Sequence, residues 1–381
     1  MRITHLVPHR LDPYSGVYTS VIGMTAALAR AGQDVEVWNL SPWPVERADL
    51  VAVLDEAGVV RRELPESSRP WSLAPDARHM VDSTLDADLV HFHSAFSPQN
   101  NLLARRIDHP MVLSPHGVLL PGSMGKSPIR KQVYRRLIEL PTLRKMAAVC
   151  ALTEAERTEV REFGYAGRIE VIPNGVPDPP PGLDSTALRR RLSIDSSSRI
   201  GLYVGRIQID HKRLDVLARA VSEALDWHLV VVGRDYRGDA VRLESLVTDL
   251  PGSDRIHLLG AQQGTDLAEA YAGADALMLV SHSEGMPMAL LEALSHRLPA
   301  LVSPEVEEAL PVAASGAGWA ATPTRLAGEL ARLAGLPETE WEAARAGAGR
   351  LADTFRWEAI AESYLSLYRS VIEVGYRPFL R

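Results

Sequence analysis

The sequence predicts an α/β protein built as two doubly wound, parallel-sheet domains, and three observations carry that prediction. Short apolar runs alternate with segments of helical period along the chain. Most of the runs are near-continuous rather than strictly alternating, as expected of parallel strands covered on both faces. At 381 residues the chain exceeds what one hydrophobic core usually serves, so the alternation divides into two series. Strands are expected at 3–7, 35–38, 89–93, 111–114, 148–152 and 170–172, then at 200–204, 229–232, 256–259, 277–280 and 300–302. Helices are expected at 20–31, 130–140, 154–163, 213–224, 240–248, 266–272 and 287–296. Strand–helix alternation of this kind implies right-handed βαβ units.

The cluster from Pro173 to Gly182 holds five prolines, which neither a helix nor a central strand tolerates, and it reads as a stiff linker. It places the domains at 1–175 and 176–357. The tail 357–374 carries a helical apolar period in Ile360, Tyr364, Leu367 and Ile372 and reads as one or two closing helices.

Composition excludes several classes. A net charge of -7 with a pI near 6.0 argues against a nucleic-acid binder. The apolar runs are too short to span a bilayer, and the N-terminus enters a strand with no signal-peptide pattern, so a cytoplasmic location is expected. The single cysteine, Cys150, excludes an internal disulfide and a cysteine-based zinc site, and reads as a small buried hydrophobe. Only four of the 41 basic residues are lysines (Lys126, Lys131, Lys145 and Lys212), which makes each of them informative.

The segment from Ser281 to Leu294 is richest in chemistry. It follows the strand expected at 277–280, so its loop falls at the strand's C-terminal end, where open α/β sheets bind ligands. Pro287 suits the first helical position, and the N–H groups of Met288, Ala289 and Leu290 would then be free to hold a phosphate at the positive end of the helix. Glu284, with Gly285 beside it, precedes the helix, and Glu292 lies within it. Read singly they are a capping acid and an exposed helical glutamate; read together they bracket a diphosphate with acceptors for the hydroxyls of a sugar and a ribose. Gly205 after the strand at 200–204 allows close backbone approach, and Arg206 and Lys212 can neutralise a diphosphate, against the alternative of solvated surface cations. His211 and Arg213 read as solvent-facing.

These residues carry a resemblance that covers nearly the whole chain. Glu284 to Glu292 match an E-x7-E motif, Gly205-Arg206 with Lys212 a G-R-…-K element, Val231-Val232-Gly233 a V-V-G strand end, and Ile172 to Val176 an I-P-N-G-V linker. The chain thereby resembles the retaining glycosyltransferases of family 4. The resemblance implies the GT-B fold, two Rossmann-like domains facing a central cleft, with the final helix (358–381) packing back on the first. It implies a nucleoside diphosphate sugar as donor substrate, no further cofactor, Glu284 on the donor hexose, Glu292 on the ribose, and Arg206 with Lys212 on the pyrophosphate. Two departures stand out: Arg213 and Arg297 occupy positions that often hold glycine, and Arg297 is expected to force a different helix exit.

In the first half, the 9–18 turn lacks G-x-G-x-x-G, which argues against a dinucleotide oxidoreductase. Gly16 corresponds to a family glycine facing the donor phosphate, with Ser15 replacing its usual glycine partner; the plain alternative is a helix-start glycine. His116, ending the strand at 111–114, is taken as an active-site polar contact by the same resemblance, while His93 reads equally well as a satisfied strand-end histidine. The lone Asp-x-Asp, Asp86-Ala87-Asp88, precedes its strand at the wrong end for a substrate, so no metal is expected. Lys126, Arg130, Lys131, Arg135 and Arg136 interleave with apolar residues at helical spacing. Residues 126–136 read as a membrane- or phosphate-docking face, on the inner side of the membrane, or as an amphipathic helix packed on the core.

The expected activity is transfer of a hexosyl unit, with retention, to a glycan, lipid-linked or small-molecule acceptor. The rivals are a non-catalytic sugar-nucleotide-binding subunit and another GT-B enzyme such as a sugar-nucleotide epimerase.

Overall fold

A computed structural model describes residues 1–7, 14–40, 42–43, 47–65, 67, 72–117 and 133–374. The chain divides into two compact units, Met1–Gly175 with the segment from Trp357 onward, and Val176–Arg356.

The first unit holds a seven-stranded sheet in the order β3-β2-β1-β4-β5-β6-β7. Its strands are β1 (Arg2–Val7), β2 (Asp34–Asn39), β3 (Val60–Glu63), β4 (Leu89–His93), β5 (Met111–Ser114), β6 (Ala148–Ala151) and β7 (Arg168–Val171), every pair parallel. Side chains alternate between two buried faces. Leu6, Trp38, Phe92 and Leu113 pack on one, with Phe163. Ile3, Val7, Leu89 and Val112 pack on the other, beneath helices Gly16–Arg30 and Trp357–Val374. Trp357 is the anchor of that second face. A Cβ built on Gly23 or Gly175 would lie 2.4 Å or 2.3 Å from its ring, so both glycines exist to admit the indole. Asn174 is buried and accepts the Ser20 hydroxyl hydrogen at 2.6 Å. The I-P-N-G-V segment therefore finishes the core of the first unit, and the chain from Val176 onward belongs to the second.

The second unit holds a six-stranded sheet in the order β10-β9-β8-β11-β12-β13. Its strands are β8 (Arg199–Val204), β9 (Trp227–Val232), β10 (Ile256–Gly260), β11 (Ala276–Leu279), β12 (Ala300–Val302) and β13 (Gly318–Ala320), again all parallel. The two sheets share one doubly wound plan, in which the order reverses beside the first strand, at β1/β4 and at β8/β11.

Two strands are absent from the sequence prediction, β3 and β13, and both are sheet edges. β3 reads Val-Arg-Arg-Glu and β13 has three residues, Gly-Trp-Ala; an edge strand has one neighbour and need not be apolar. Helices Ala48–Glu56, Pro75–Thr84, Ala187–Leu192, Leu326–Ala334 and Glu338–Asp353 are likewise additions. Of the basic segment, 126–132 lie outside the described residues, as do 9–13 and 375–381.

Candidate active site

The sequence motifs of the second unit converge on the C-terminal ends of β8 and β11, the reversal point of that sheet. β8 runs into Gly205, whose N–H continues the ladder to β9 through the Val232 carbonyl (3.0 Å). A Cβ on Gly233 would meet the Gly205 oxygen at 1.7 Å, which explains why glycine follows the Val-Val end of β9. The next residues are fixed by the Tyr203 hydroxyl donating to the Arg206 carbonyl (2.8 Å) and the Ile207 N–H to Arg234 O (2.9 Å). Arg206 is exposed, its guanidinium 5.2 Å from the centre of the Tyr236 ring, a cation–π contact that leaves its N–H groups available.

Lys212 closes the single turn Ile209–Lys212 and donates from Nζ to Glu284 Oε1 at 2.5 Å. The two side chains are 12% and 11% exposed, so this is a largely desolvated pair. An ammonium has three donors and the bond to Glu284 uses one. Glu292 accepts the Tyr271 hydroxyl hydrogen at 2.8 Å, and burial, then the Glu292 charge, holds that phenol well above its ordinary range.

Helix Met288–Ser295 starts one residue later than expected. Pro287 is its N-cap, with ψ of 120°, and its carbonyl accepts the Leu290 N–H at 3.0 Å. Leu290 is therefore not a free donor, because the first helical turn already uses it. The N–H groups of Met288 and Ala289 come before any intrahelical acceptor can reach them.

Both arginines at glycine positions are left-handed, Arg213 at φ 51° and Arg297 at φ 56°. Arg297 leaves the helix as glycine would. Leu298 N–H bonds Ala293 O and Arg297 N–H bonds Leu294 O, both at 2.9 Å, the two bonds of a Schellman ending. The expected change of exit does not occur. Arg213 is not solvent-facing either, with its side chain 12% exposed. Its guanidinium donates to Glu305 (2.7 and 3.2 Å), to the carbonyls of Val280 and Ser281 (3.3 and 3.4 Å), and contacts His282 Nδ1 at 2.9 Å. Hydrogen bonding to Arg213 brings the Glu305 carboxyl down to about 2. His282 N–H bonds His211 O at 2.9 Å, so the loop carrying Glu284 is held at both its start and its flank.

In the first unit, Gly16 opens helix Gly16–Arg30 and Ser15 caps it, accepting the Tyr18 N–H at 3.2 Å; the helix-start reading is thus met, whatever further part Gly16 has. His116 follows β5 at φ 57°, with Nε2 3.0 Å from His93 Nδ1. Sequence reasoning missed Glu156. It is 2% exposed and its two oxygens take the N–H of Gly117 and of Leu152, both at 2.6 Å, holding the loop of His116 against the end of β6. Burial raises its pKa. A glutamate in a polar helix gives no sequence signal that it bonds a loop 39 residues away. Asp86 and Asp88 both pair with Arg2, which gives the Asp-x-Asp a structural part.

A doubly wound sheet carrying cations, acceptors and a helix start at its reversal point, in a chain whose other unit has a like plan, defines the GT-B class of glycosyltransferases. Two solved structures share the fold: Anabaena Alr3699/HepE (TM-score 0.79, 18% identity, 97% of this chain and 100% of that one) and sucrose-phosphate synthase of Thermosynechococcus elongatus (0.77, 20%, 98% and 100%). The Glycosyltransferase Family 4 model matches residues 14–178 and the Glycosyl transferases group 1 model residues 184–365. The D-inositol 3-phosphate glycosyltransferase of Kineococcus radiotolerans is 29% identical over 94% of this chain and 91% of its own length. The chain belongs to these family 4-type glycosyltransferases and is a nucleotide-sugar-dependent enzyme.

Proposed function

We propose that the enzyme transfers a hexosyl unit from a nucleoside diphosphate sugar, with retention at the anomeric carbon, and that the second unit holds the donor. The observation that carries this reading is the Lys212–Glu284 pair with Arg206 and the start of helix Met288–Ser295, all at the reversal point between β8 and β11. When the bond from the anomeric carbon to the diphosphate breaks, negative charge grows on the departing oxygen. Arg206, the spare Lys212 donors and the N–H groups of Met288 and Ala289 meet that charge without a divalent ion. Glu284, with Gly285, accepts from hydroxyls of the hexose and Glu292 from the ribose; Gly205 keeps the backbone low enough for the diphosphate to approach. From the first unit, His116 supplies a polar contact to the donor and Gly16 a backbone approach to its phosphate. No metal or further cofactor enters this account.

HepE was solved with UDP and glucose and with UDP-glucose, so uridine donors are the first to test. The acceptor is a glycan, lipid-linked or small-molecule hydroxyl, and the name of the Kineococcus relative makes a phosphorylated cyclitol the first small molecule to assay. In a thermal-shift screen of nucleotide sugars, one family should raise Tm by mass action, and its free diphosphate should do so too. A screen in which no nucleotide sugar moves Tm or is turned over would sink the reading.

Among the described residues no helix is long and apolar enough to cross a membrane. Peripheral contact on the inner face is proposed for 126–136, supported by Val133 and Leu137, four residues apart and 52% and 68% exposed, beside Arg136. Arg135 is engaged instead with the Glu162 and Phe163 carbonyls. Sedimentation with anionic vesicles should succeed at low salt and weaken at high salt; no binding at low salt ends the proposal.

A further inference from the structure

The proposed chemistry uses one histidine, yet the first unit buries a connected set. His5 on β1 and His91 and His93 on β4 are fully buried on the sheet face that carries Leu89 and Val112. His5 and His91 are neighbours in register. His5 Nδ1 lies 3.0 Å from His93 Nε2, and His93 Nδ1 lies 3.0 Å from His116 Nε2. His91 stands apart from this line, with Nδ1 2.6 Å from the Tyr368 hydroxyl and Nε2 2.9 Å from Ser114 Oγ.

One ring nitrogen from each of His5, His91 and His93 lies within 4.8 Å of the other two, the spacing of a candidate metal site. Both nitrogens of His91 and both of His93 are already spent in the contacts above, so only His5 Nε2 is open. The arrangement is that of a hydrogen-bonded chain. Its two ends, His5 Nε2 and His116 Nδ1, are buried and have no hydrogen-bond partner among the described residues.

Burial fixes the charge state of the chain. It lowers His5 to about 3 and His116 to about 4, and, with the neighbouring histidines adding to it, holds His91 and His93 well below 6.5. A neutral imidazole has one N–H and one bare nitrogen, and each ring-to-ring contact needs one of each. The tautomers of the three rings are therefore not independent. Either all three carry the proton on Nδ1, or all three carry it on Nε2; any mixed set turns two N–H groups or two lone pairs toward each other inside a dry core.

We propose that His5, His93 and His116 form a tautomeric relay, in which a group hydrogen-bonded to His116 Nδ1 sets the proton positions on His93 and His5. This rests on the reading of His116 as a donor contact. A diphosphate offers acceptors only, so its arrival selects N–H at His116 Nδ1 and with it the Nδ1–H form of all three rings. His93 and His5 are positioning residues: they hold His116 as a donor.

The test is ring 15N NMR on the full chain labelled in histidine. In the free protein the three rings should show one common tautomer, and a mixed set overturns the relay, whatever the enzyme's substrate. Adding uridine diphosphate should move the ring nitrogens of His5, two rings away, in step with those of His116 and toward the Nδ1–H pattern. Nitrogens of His116 that move while those of His5 stay also overturn it. In His93→Phe the His116 tautomer should become averaged and His5 blind to the nucleotide; a His116 pattern unchanged from the parent counts against the relay. Nucleotide that binds, by calorimetry, without touching the His116 signals defeats the donor-contact reading while leaving the free-protein result to judge the chain. One equivalent of zinc that co-purifies and is lost in His5→Phe would replace the relay with a metal site.

Discussion

The reversal points of the two sheets have the same topology and opposite chemistry. At β8/β11 the groups are charged and arranged to be met from outside: an exposed arginine over an aromatic ring, and a lysine–glutamate pair with donors to spare. At β1/β4 the groups are neutral imidazoles, buried and bonded to one another. One plan has thus been given two tasks. At β8/β11 Arg206 stays exposed to water, while Lys212 and Glu284 are largely desolvated and balance each other's charge. A site that must present a single donor in a set direction hides its groups and lets burial remove their charge.

The largest expected effect separates these tasks. Lys212→Ala and Glu284→Ala should each lower kcat/KM by about a hundredfold, comparable to removing one preorganised donor from a charge-stabilising site, with the protein still folded. Full activity in both purified variants would remove the charged site from the account. Acid should act on the other side of the comparison. His5, His91, His93 and His116 are neutral in the fold but titrate near 6.5 once unfolded, so their contribution is complete above pH 6.5. It is lost as pH falls toward 4, by up to about 1.4 kcal/mol per pH unit for each ring. The groups facing them from the covering helix and β6, Tyr364, Tyr368 and Cys150, are pushed up by burial and stay neutral throughout. Calorimetric Tm should decline between pH 6.5 and 5, less steeply in His5→Phe; His296, lowered by burial to about 4, adds to the slope in both. A flat Tm over that window would contradict the neutral-core description. The smallest effect concerns Arg213. Arg213→Ala should be about 1 kcal/mol less stable than Arg213→Gly, since alanine keeps the left-handed strain and glycine does not, while both lose the clamp on the Glu284 loop and fall in turnover. Equal stability of the two by denaturant titration would mean that the backbone relaxes there.

Most interior strands were legible because burial on both faces writes continuous apolar runs, as in Trp-His-Leu-Val-Val-Val of β9. The edges β3 and β13 were not, because nothing obliges them to be apolar. Glu284, Glu292 and the helix after Pro287 were legible from local order: strand, loop, proline, helix. Arg213 was not, because the sign of a non-glycine φ is not written in residue type, and its five acceptors come from the loop after β11 and from Glu305. The histidine chain was hidden for a similar reason. His5, His93 and His116 are far apart in sequence, and only parallel register brings them into line.

Trp357, seated against Gly23 and Gly175, has a consequence for how the protein is made. The first unit lacks part of the cover of one face until residues after 356 leave the ribosome, and 181 residues (176–356) must be translated in between. At about 5–20 residues per second that is a wait of roughly 10–35 s. For that interval Ile3, Val21, Leu28 and their neighbours have lost a closing partner they will have later. The nascent chain therefore carries an unfinished apolar surface while an entire second sheet is being synthesised, and this is the stage at which a holding chaperone would find its target.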